Sequence, residues 1–210
     1  MENPVMIIGA GGLGKAALDI FQSNGILVYG LLDYDKKLHG AEINDVVVMG
    51  DPEDDGFLKY IGKKCEAFVA LENNQERKAI VDLLKTRRKV MPINAIHPSA
   101  FISSTAQMSQ GSFINAGVSV GAFAKIGNHC IIHSKATIEH QAQLSDFIQV
   151  GAGSIINSGV VIGEGSFIGS GVTVVSGVKI GKNASVGAGS VVIENVKNGQ
   201  TVFGNPAKSV

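Results

Sequence analysis

The 210-residue sequence contains no tryptophan, few aromatics (6%) and few charged residues (17%), and Lys+Arg equals Asp+Glu at 18 each. The balanced charge leaves no electrostatic footprint for nucleic acid or an anionic membrane surface. The two cysteines, Cys65 and Cys130, form no metal or disulfide spacing motif, so a reduced, cytoplasmic setting is expected. The start, "MENPVMIIGAGG", has neither a basic n-region nor a long apolar h-region, and no signal peptide is expected. No apolar run approaches the length of a membrane-spanning helix, which argues against membrane insertion. The absence of tryptophan beside 27 glycines also argues against a helical bundle. What remains is 45% hydrophobic, enough to bury a substantial core.

Residues 1–94 alternate strand-like and helix-like segments. "VMIIG" at Val5–Gly9, "ILVYGLLD", "VVVMGD" and "AFVALEN" read as strands. "GKAALDIFQSNG" reads as an amphipathic helix stopped by Gly25. "NQERKAIVDLLKTR" reads as a second helix, acidic near its start and basic near its end, as the helix dipole prefers. Strands alternating with helices imply a Rossmann-like parallel α/β domain. "GAGGLG", from Gly9 to Gly14, spells a G-x-G-x-x-G loop between a strand and a helix, with Asp33 further on. That pattern suits a dinucleotide, yet the domain is short for a complete dinucleotide-binding fold. The N–H groups of Gly11 and Gly12 at a helix N-terminus offer an anion site in either case.

From 95 to 210 the pattern changes. An aliphatic residue opens every block of six, from Ile96, Ile102 and Met108 through Ile132, Ile138 and Leu144 to Ile180 and Val186. Four residues after each opener comes a small or β-branched residue, such as Ala136, Ala142, Ser154 and Ser166. This is the hexapeptide repeat of a parallel β-helix, three sixes closing one coil of 18 residues. The opener points inward, the second inward residue is small because it sits near a corner, and glycine supplies the turns. About five coils follow, stacking to build the core that none has alone. The tail "VVIENVKNGQTVFGNPAKSV" loses the beat and is expected to form a cap.

The whole chain resembles the sugar acyltransferases that join a small nucleotide-binding-like domain to a left-handed β-helix. These include UDP-amino-sugar N-acetyltransferases and relatives of the sialic acid O-acetyltransferases. The matching stretches are "IIGAGGLGK", "LLDYD", "ALENNQERK", "NAIHPSAFIS", "IIHSKATIEH" and "VGAGSVV…VFGNPAK". The resemblance implies transfer of an acetyl group from acetyl-CoA to an amino or hydroxyl group of a nucleotide-linked sugar. It also implies a homotrimer with active sites between neighbouring β-helices.

By that resemblance, His140 is the general base, a task for which imidazole's ordinary pKa of ~6.5 is suited. Gln141 follows it where the family has Asp or Glu, so the carboxylate beside the base is missing; Glu139 and Asp146 are the nearest substitutes. Gln149 stands where some relatives carry a histidine that contacts the thioester, and its NH2 can still donate to a carbonyl. His133 stands where relatives often carry Asn and is expected to line the cleft or support structure. Ser134, Ala152, Ser170 and Ala188 are 18 apart and form a column of small residues, of which Ser170 and Ala188 match CoA-binding places. Ser158, one coil beyond His140, is the candidate oxyanion donor through its N–H, in place of the usual Gly. Lys208 in "GNPAK" is a candidate for CoA phosphate. In the N-terminal domain, Gly11, Gly12, Leu13, Asp33 and Tyr34 are the candidate nucleotide-sugar contacts, with Leu13 replacing a typical His. Two other readings stay open: a binding trimer with weakened catalysis, and a dinucleotide-binding protein on a structural β-helix. No metal site is expected.

Overall fold

The structure, a computed structural model, describes residues 3–210. The chain divides into two compact units, Met1–Ala95 and Ile96–Val210.

The first unit is a five-stranded sheet built around β1 (Val5–Ile8), whose four residues are all buried. It pairs in parallel with β2 (Val28–Leu32) on one side. A short edge strand, β3 (Glu42–Ile43), precedes β4 (Val46–Gly50), and β5 (Glu66–Val69) lies on the other side of β1. The sheet order is β3-β4-β2-β1-β5. A strand buried on both faces reads as a continuous apolar run rather than an alternation, which explains "VMII". The four expected strands pair in parallel, and the sheet gains one unexpected edge strand: β3 pairs antiparallel with β4 through a tight turn at Asn44 and Asp45, both at positive φ. A two-residue strand carries too little pattern to be seen in sequence.

Helix α1 (Gly12–Ser23) starts two residues earlier than expected and buries Leu13, Ala17, Leu18, Ile20 and Phe21. Phe21 meets Phe68 of β5 edge to face at 5.6 Å. A one-turn helix, α2 (Asp55–Leu58), follows β4, capped by Asp54. Helix α3 (Asn74–Leu83) is capped by the Asn73 side chain, which accepts from Gln75 and Glu76 N–H. The expected helix over 74–87 is α-helical only to Leu83; Leu84–Arg88 continues as a π-turn ending at Lys89 in the left-handed region.

The second unit is a three-sided parallel β-helix. Its strands are two residues long, and each ends on an opener of the six-residue beat: Thr137–Ile138, Gln143–Leu144, Gln149–Val150 and so on. Strands 18 residues apart pair in parallel, as Thr137 does with Ser119 and Ile155. Three sheets result, of six, five and eight strands. The openers from Ile114 to Val186 form one continuous apolar stack, each burying a side chain worth ~1.5–3 kcal/mol. Ile96, Ile102 and Met108 are only partly buried, as the end rungs of a stack should be. Where the second inward residue is serine, its hydroxyl serves the backbone: Ser154 Oγ donates to Gly169 O at 2.8 Å and accepts from Val172 N at 3.2 Å.

Every sixth residue from 111 to 189 has positive φ, including Phe123, His129, Lys135, Gln141, Phe147 and Asn183 besides the glycines. The corners therefore demand a left-handed backbone, and glycine is the usual but not the obligatory answer. The tail keeps the beat for one rung beyond the expected end. Val191–Val192 pairs with Thr173–Val174, and Val192 is buried in the core. Then Thr201–Gly204 pairs with Ser185–Val186 and turns back on Ala207–Ser209 as an antiparallel hairpin, which is the cap. No helix among the described residues is long and apolar enough to cross a membrane.

Candidate active site

His140 lies at a corner of the β-helix, two residues after the inward Ile138 and immediately before the left-handed residue Gln141. Its side chain is more than half exposed, and its Nδ1 is 3.6 Å from a carboxylate oxygen of Glu139. Gln141 N donates to Ala122 O at 3.0 Å, and His140 O accepts from Gly159 N at 3.2 Å, so the corners stack coil upon coil. Of the two acids considered as replacements for the missing carboxylate, Glu139 therefore faces the imidazole. Asp146 is occupied elsewhere: its Oδ1 accepts from Asn128 N at 2.8 Å, and both oxygens meet Asn128 Nδ2.

Ser158 sits at the same corner one coil on. Its hydroxyl pairs with Ser176 Oγ at 3.2 Å, and its carbonyl accepts from Gly177 N. Its own N–H takes no backbone acceptor among the described residues, which leaves it available as a donor. One corner away, Ser134, Ala152, Ser170 and Ala188 stack as expected. Gly153, Gly171 and Gly189 donate in turn to the carbonyls of Ser134, Ala152 and Ser170 at 2.8–2.9 Å. Ser170 and Ala188 are exposed and short, so a flexible ligand arm can lie against the backbone there.

Gln149 points outward on the neighbouring sheet, half-buried, with its amide nitrogen 3.1 Å from Nε2 of His133. His133 in turn meets the Phe113 ring edge to face at 6.3 Å. His133 is thus a partner of Gln149. Lys208 lies exposed in the terminal hairpin, opposite Phe203.

In the first unit a cavity of about 290 Å³ is lined by Gly9, Gly11, Gly12, Leu13 and Asp33 on one side and Ala70–Asn73 with Glu76 on the other. The glycine loop has two functions. Gly9 and Gly14 allow close packing: a Cβ on Gly9 would sit 2.5 Å from Ala70 O, and one on Gly14 would collide with Gly9 O. Gly11 faces open space, and a Cβ on Gly12 would meet only Glu72 Oε1, at an ordinary contact distance of 3.8 Å. Helix α1 has no side-chain N-cap and no acid in its first turn, unlike α2 and α3, so its N-terminal amides remain open to a ligand.

Asp33 holds its place through two backbone donors, Ala10 N to Oδ2 at 2.7 Å and Asp35 N to Oδ1 at 2.8 Å. Leu13 is buried and supplies an apolar wall of the cavity. Tyr34 does not join this group: its hydroxyl donates to Glu53 at 2.8 Å and it lies outside the cavity lining. Burial and the Glu53 carboxylate hold its phenol far above the ordinary range. Sequence reasoning missed Glu72, Asn73 and Glu76 as wall residues, although "ALENNQERK" carried them. Their signal was a short polar run directly after a buried strand, where ligands to parallel sheets bind.

A larger concavity of about 540 Å³ runs along one face of the β-helix, lined by residues such as Lys125, Gln143, Asp146, Glu164 and Lys182. Of the candidate residues it includes only Asp146, the acid that turns to Asn128 and not to His140. No cluster of three or more His, Cys, Asp or Glu able to hold a metal occurs among the described residues.

Comparison with known proteins agrees with both units. The PglD N-terminal domain matches residues 4–84, and the bacterial transferase hexapeptide repeat matches 105–140 and 159–194. PerB from Caulobacter crescentus, solved with CoA and GDP-perosamine, is 32% identical, with a TM-score of 0.86 over 99% of this chain and 97% of that one. The acetyltransferase domain of PglB from Neisseria gonorrhoeae, solved with acetyl coenzyme A, is 28% identical, with a TM-score of 0.89 over the full length of both. A GDP-perosamine N-acetyltransferase of Escherichia coli O157:H7 is 29% identical over 167 residues, covering 77% of this chain and 73% of that protein. The repeat, the N-terminal domain and the near full-length match to PerB together place the chain in the family of hexapeptide-repeat sugar N-acetyltransferases with a left-handed β-helix.

Proposed function

We propose that the protein transfers the acetyl group of acetyl-CoA to the amino group of a GDP-linked amino sugar of the perosamine type, with His140 as general base. The observation that carries this reading is the corner formed by Glu139, His140 and Ser158, on a chain that matches PerB along nearly its whole length.

The chemistry follows from that corner. The Glu139 carboxylate beside Nδ1 favours the tautomer with its proton there and leaves the Nε2 lone pair outward. The sugar amine attacks the thioester carbonyl, a C–N bond forms, and Nε2 takes the proton that the nitrogen loses. The negative oxygen of the tetrahedral intermediate is stabilised by the Ser158 N–H. Collapse breaks the C–S bond, and the proton on His140 passes to the departing thiolate. Ser170 and Ala188 line the path of the pantetheine arm, Lys208 meets CoA phosphate, and the Gln149 amide orients the thioester. In the first unit, Gly11 and Gly12 face the diphosphate.

Carboxylates at Asp33, Glu72 and Glu76 line the same cavity, where they can accept from ribose hydroxyls and from the base. Guanine presents two adjacent donors, N1–H and N2–H, to one carboxylate; uracil presents one. That difference supports a guanosine over a uridine nucleotide. The active assembly is proposed to be a homotrimer working in the cytoplasm, where its co-substrate acetyl-CoA is made. Exposed Phe101, Ile155 and Phe167 on the β-helix are apolar surface that such an assembly would cover.

The test is release of free CoA thiol when the protein is mixed with acetyl-CoA and GDP-perosamine, or with a UDP-linked 4-amino sugar. Faster turnover with the GDP sugar, lost in His140→Ala while CoA still binds, is expected. Unchanged turnover in His140→Ala sinks the base assignment, and a preference for the UDP sugar overturns the nucleotide assignment.

A further inference from the structure

Arg77 is the largest fully buried side chain among the described residues, at 1% exposure, and it belongs to α3 and is not among the residues lining the cavity. A buried guanidinium needs a full set of acceptors. The hydrogen bonds of its two terminal nitrogens reach the chain just before its own helix and the first residue of that helix. Nη1 donates to Leu71 O at 2.6 Å and to Glu72 O at 3.0 Å, and Nη2 donates to Asn74 Oδ1. The segment so held, Leu71–Asn74, runs from the end of β5 to the start of α3 and contributes Leu71, Glu72 and Asn73 to the cavity wall.

That wall closes on the glycine loop. Ala70 O approaches Gly9 so closely that only a residue without a side chain fits, and Glu72 Oε1 lies 3.8 Å from where a Cβ of Gly12 would be. Asn73 is tied into the same segment, since its side chain caps α3 and its carbonyl accepts from Arg77 N at 2.9 Å. The planar fork of arginine can bind two consecutive carbonyls and a side-chain amide together; a lysine ammonium at the same place is a single point.

We infer that Arg77 is a positioning residue for the nucleotide-sugar cavity: it fixes the 71–74 segment, and with it the Glu72 carboxylate, against the open side of Gly11 and Gly12. It touches no substrate. The inference rests on the reading of this cavity as the nucleotide-sugar site. Its effect is confined to that substrate, because the residues assigned to acetyl-CoA and to proton transfer lie in the other unit.

Steady-state kinetics on the full-length protein test this with both substrates varied. Arg77→Lys keeps the charge but loses the fork, and it should raise KM for the nucleotide sugar roughly tenfold while kcat and KM for acetyl-CoA stay within about twofold. Asn74→Ala removes one acceptor at the half-buried start of α3 and should move the same KM in the same direction, by about threefold; it serves if Arg77→Lys does not fold. A general loss of folding would lower kcat with both KM values alike. If Arg77→Lys folds, an unchanged nucleotide-sugar KM, or equal changes for both substrates, overturns the inference; if it does not fold, the same result from Asn74→Ala does so. Gly12→Val, which fills the open side of the loop, separates the two levels. If it raises the nucleotide-sugar KM and the Arg77 and Asn74 variants do not, only the positioning role fails. If it too has no effect, the cavity reading fails and takes the positioning role with it.

Discussion

The carboxylate of Glu139 lies 3.6 Å from Nδ1 of His140, on the residue before the imidazole, while the residue after it is the neutral Gln141. An anion at Nδ1 favours the imidazolium that forms as the amine loses its proton, whichever neighbour supplies it. Glu139→Gln should therefore lower kcat by about tenfold and leave KM for acetyl-CoA unchanged. Gln141→Glu adds a second carboxylate to a site that already has one and should change kcat by less than about threefold. A gain of two orders of magnitude would show that Glu139 does not serve. Asp146→Asn should leave kcat alone, because Asp146 holds Asn128 in the stack of corners.

Gln141 has a second property that its neighbour to the base conceals. Its φ is +58°, the left-handed value that recurs every sixth residue along the β-helix. A side chain there carries a conformational cost of ~1–2 kcal/mol, which glycine avoids at the expense of greater freedom in the unfolded chain. Gln141→Gly should raise stability by about 0.5–1 kcal/mol, seen as a rise of roughly 1–4 °C in melting temperature. The amide of Gln141 is not assigned a chemical step, so kcat should survive the change. A fall in melting temperature would mean that the side chain makes a contact worth more than the backbone relief.

The β-helix was legible almost residue by residue because its period forces one physical role on each place. Ile132 and Ile138 had to be inward, and Ala136 and Ala142 had to be small. The rung missed on the beat, Val192, is followed by Asn198 where the next opener would stand, so the repeat looks finished one strand early; Val196 and Val202 then join the same core off the beat of openers. In the first unit the strands and helices were visible, but β3 and α2 were too short to carry a periodicity. A candidate could be named wherever a residue type suits a task, as imidazole at His140 suits a base. The site was not legible where a role depends on which neighbour a side chain turns toward. Nothing in sequence says that Asp146 turns to Asn128, that Gln149 turns to His133, or that Tyr34 turns to Glu53 and away from the cavity.

The glycine loop offers a paired stability and activity test. Gly14 has no room, since a Cβ there would collide with the carbonyl of Gly9. Gly14→Ala should destabilise the protein by about 2–4 kcal/mol by pushing α1 off the end of β1. Gly12 is open, its nearest neighbour to a new Cβ being Glu72 Oε1 at 3.8 Å. Gly12→Ala should leave stability within about 0.5 kcal/mol while raising KM for the nucleotide sugar. Chemical denaturation and initial-rate kinetics on the two variants check both statements. Equal effects of the two substitutions on stability would contradict the division of the loop into packing and open glycines.

Cys65 lies in the short stretch before β5, 2% exposed, with Glu66 beside it. Burial, and secondarily the Glu66 charge, push its thiol up to about 11. The thiolate is the reactive form, so at pH 8 roughly one molecule in a thousand would carry it at this site. Cys130 is also buried, inside the β-helix core, with its sulfur donating to Ser145 O at 3.2 Å. Native protein at pH 8 should therefore take up no iodoacetamide over a time in which the denatured chain is labelled at both cysteines, and acetyl transfer should survive the treatment. Between pH 8 and 10 the native Cys65 should stay unlabelled, because its ionisation lies above that window and its access is closed. Mass spectrometry of peptides from the labelled protein reads both sites separately. Rapid native labelling of Cys65 at pH 8 would show that the segment around it opens far more readily than its burial with Leu58, Ile61 and Ala67, and the Arg88 hydrogen bond to Ile61 O, imply.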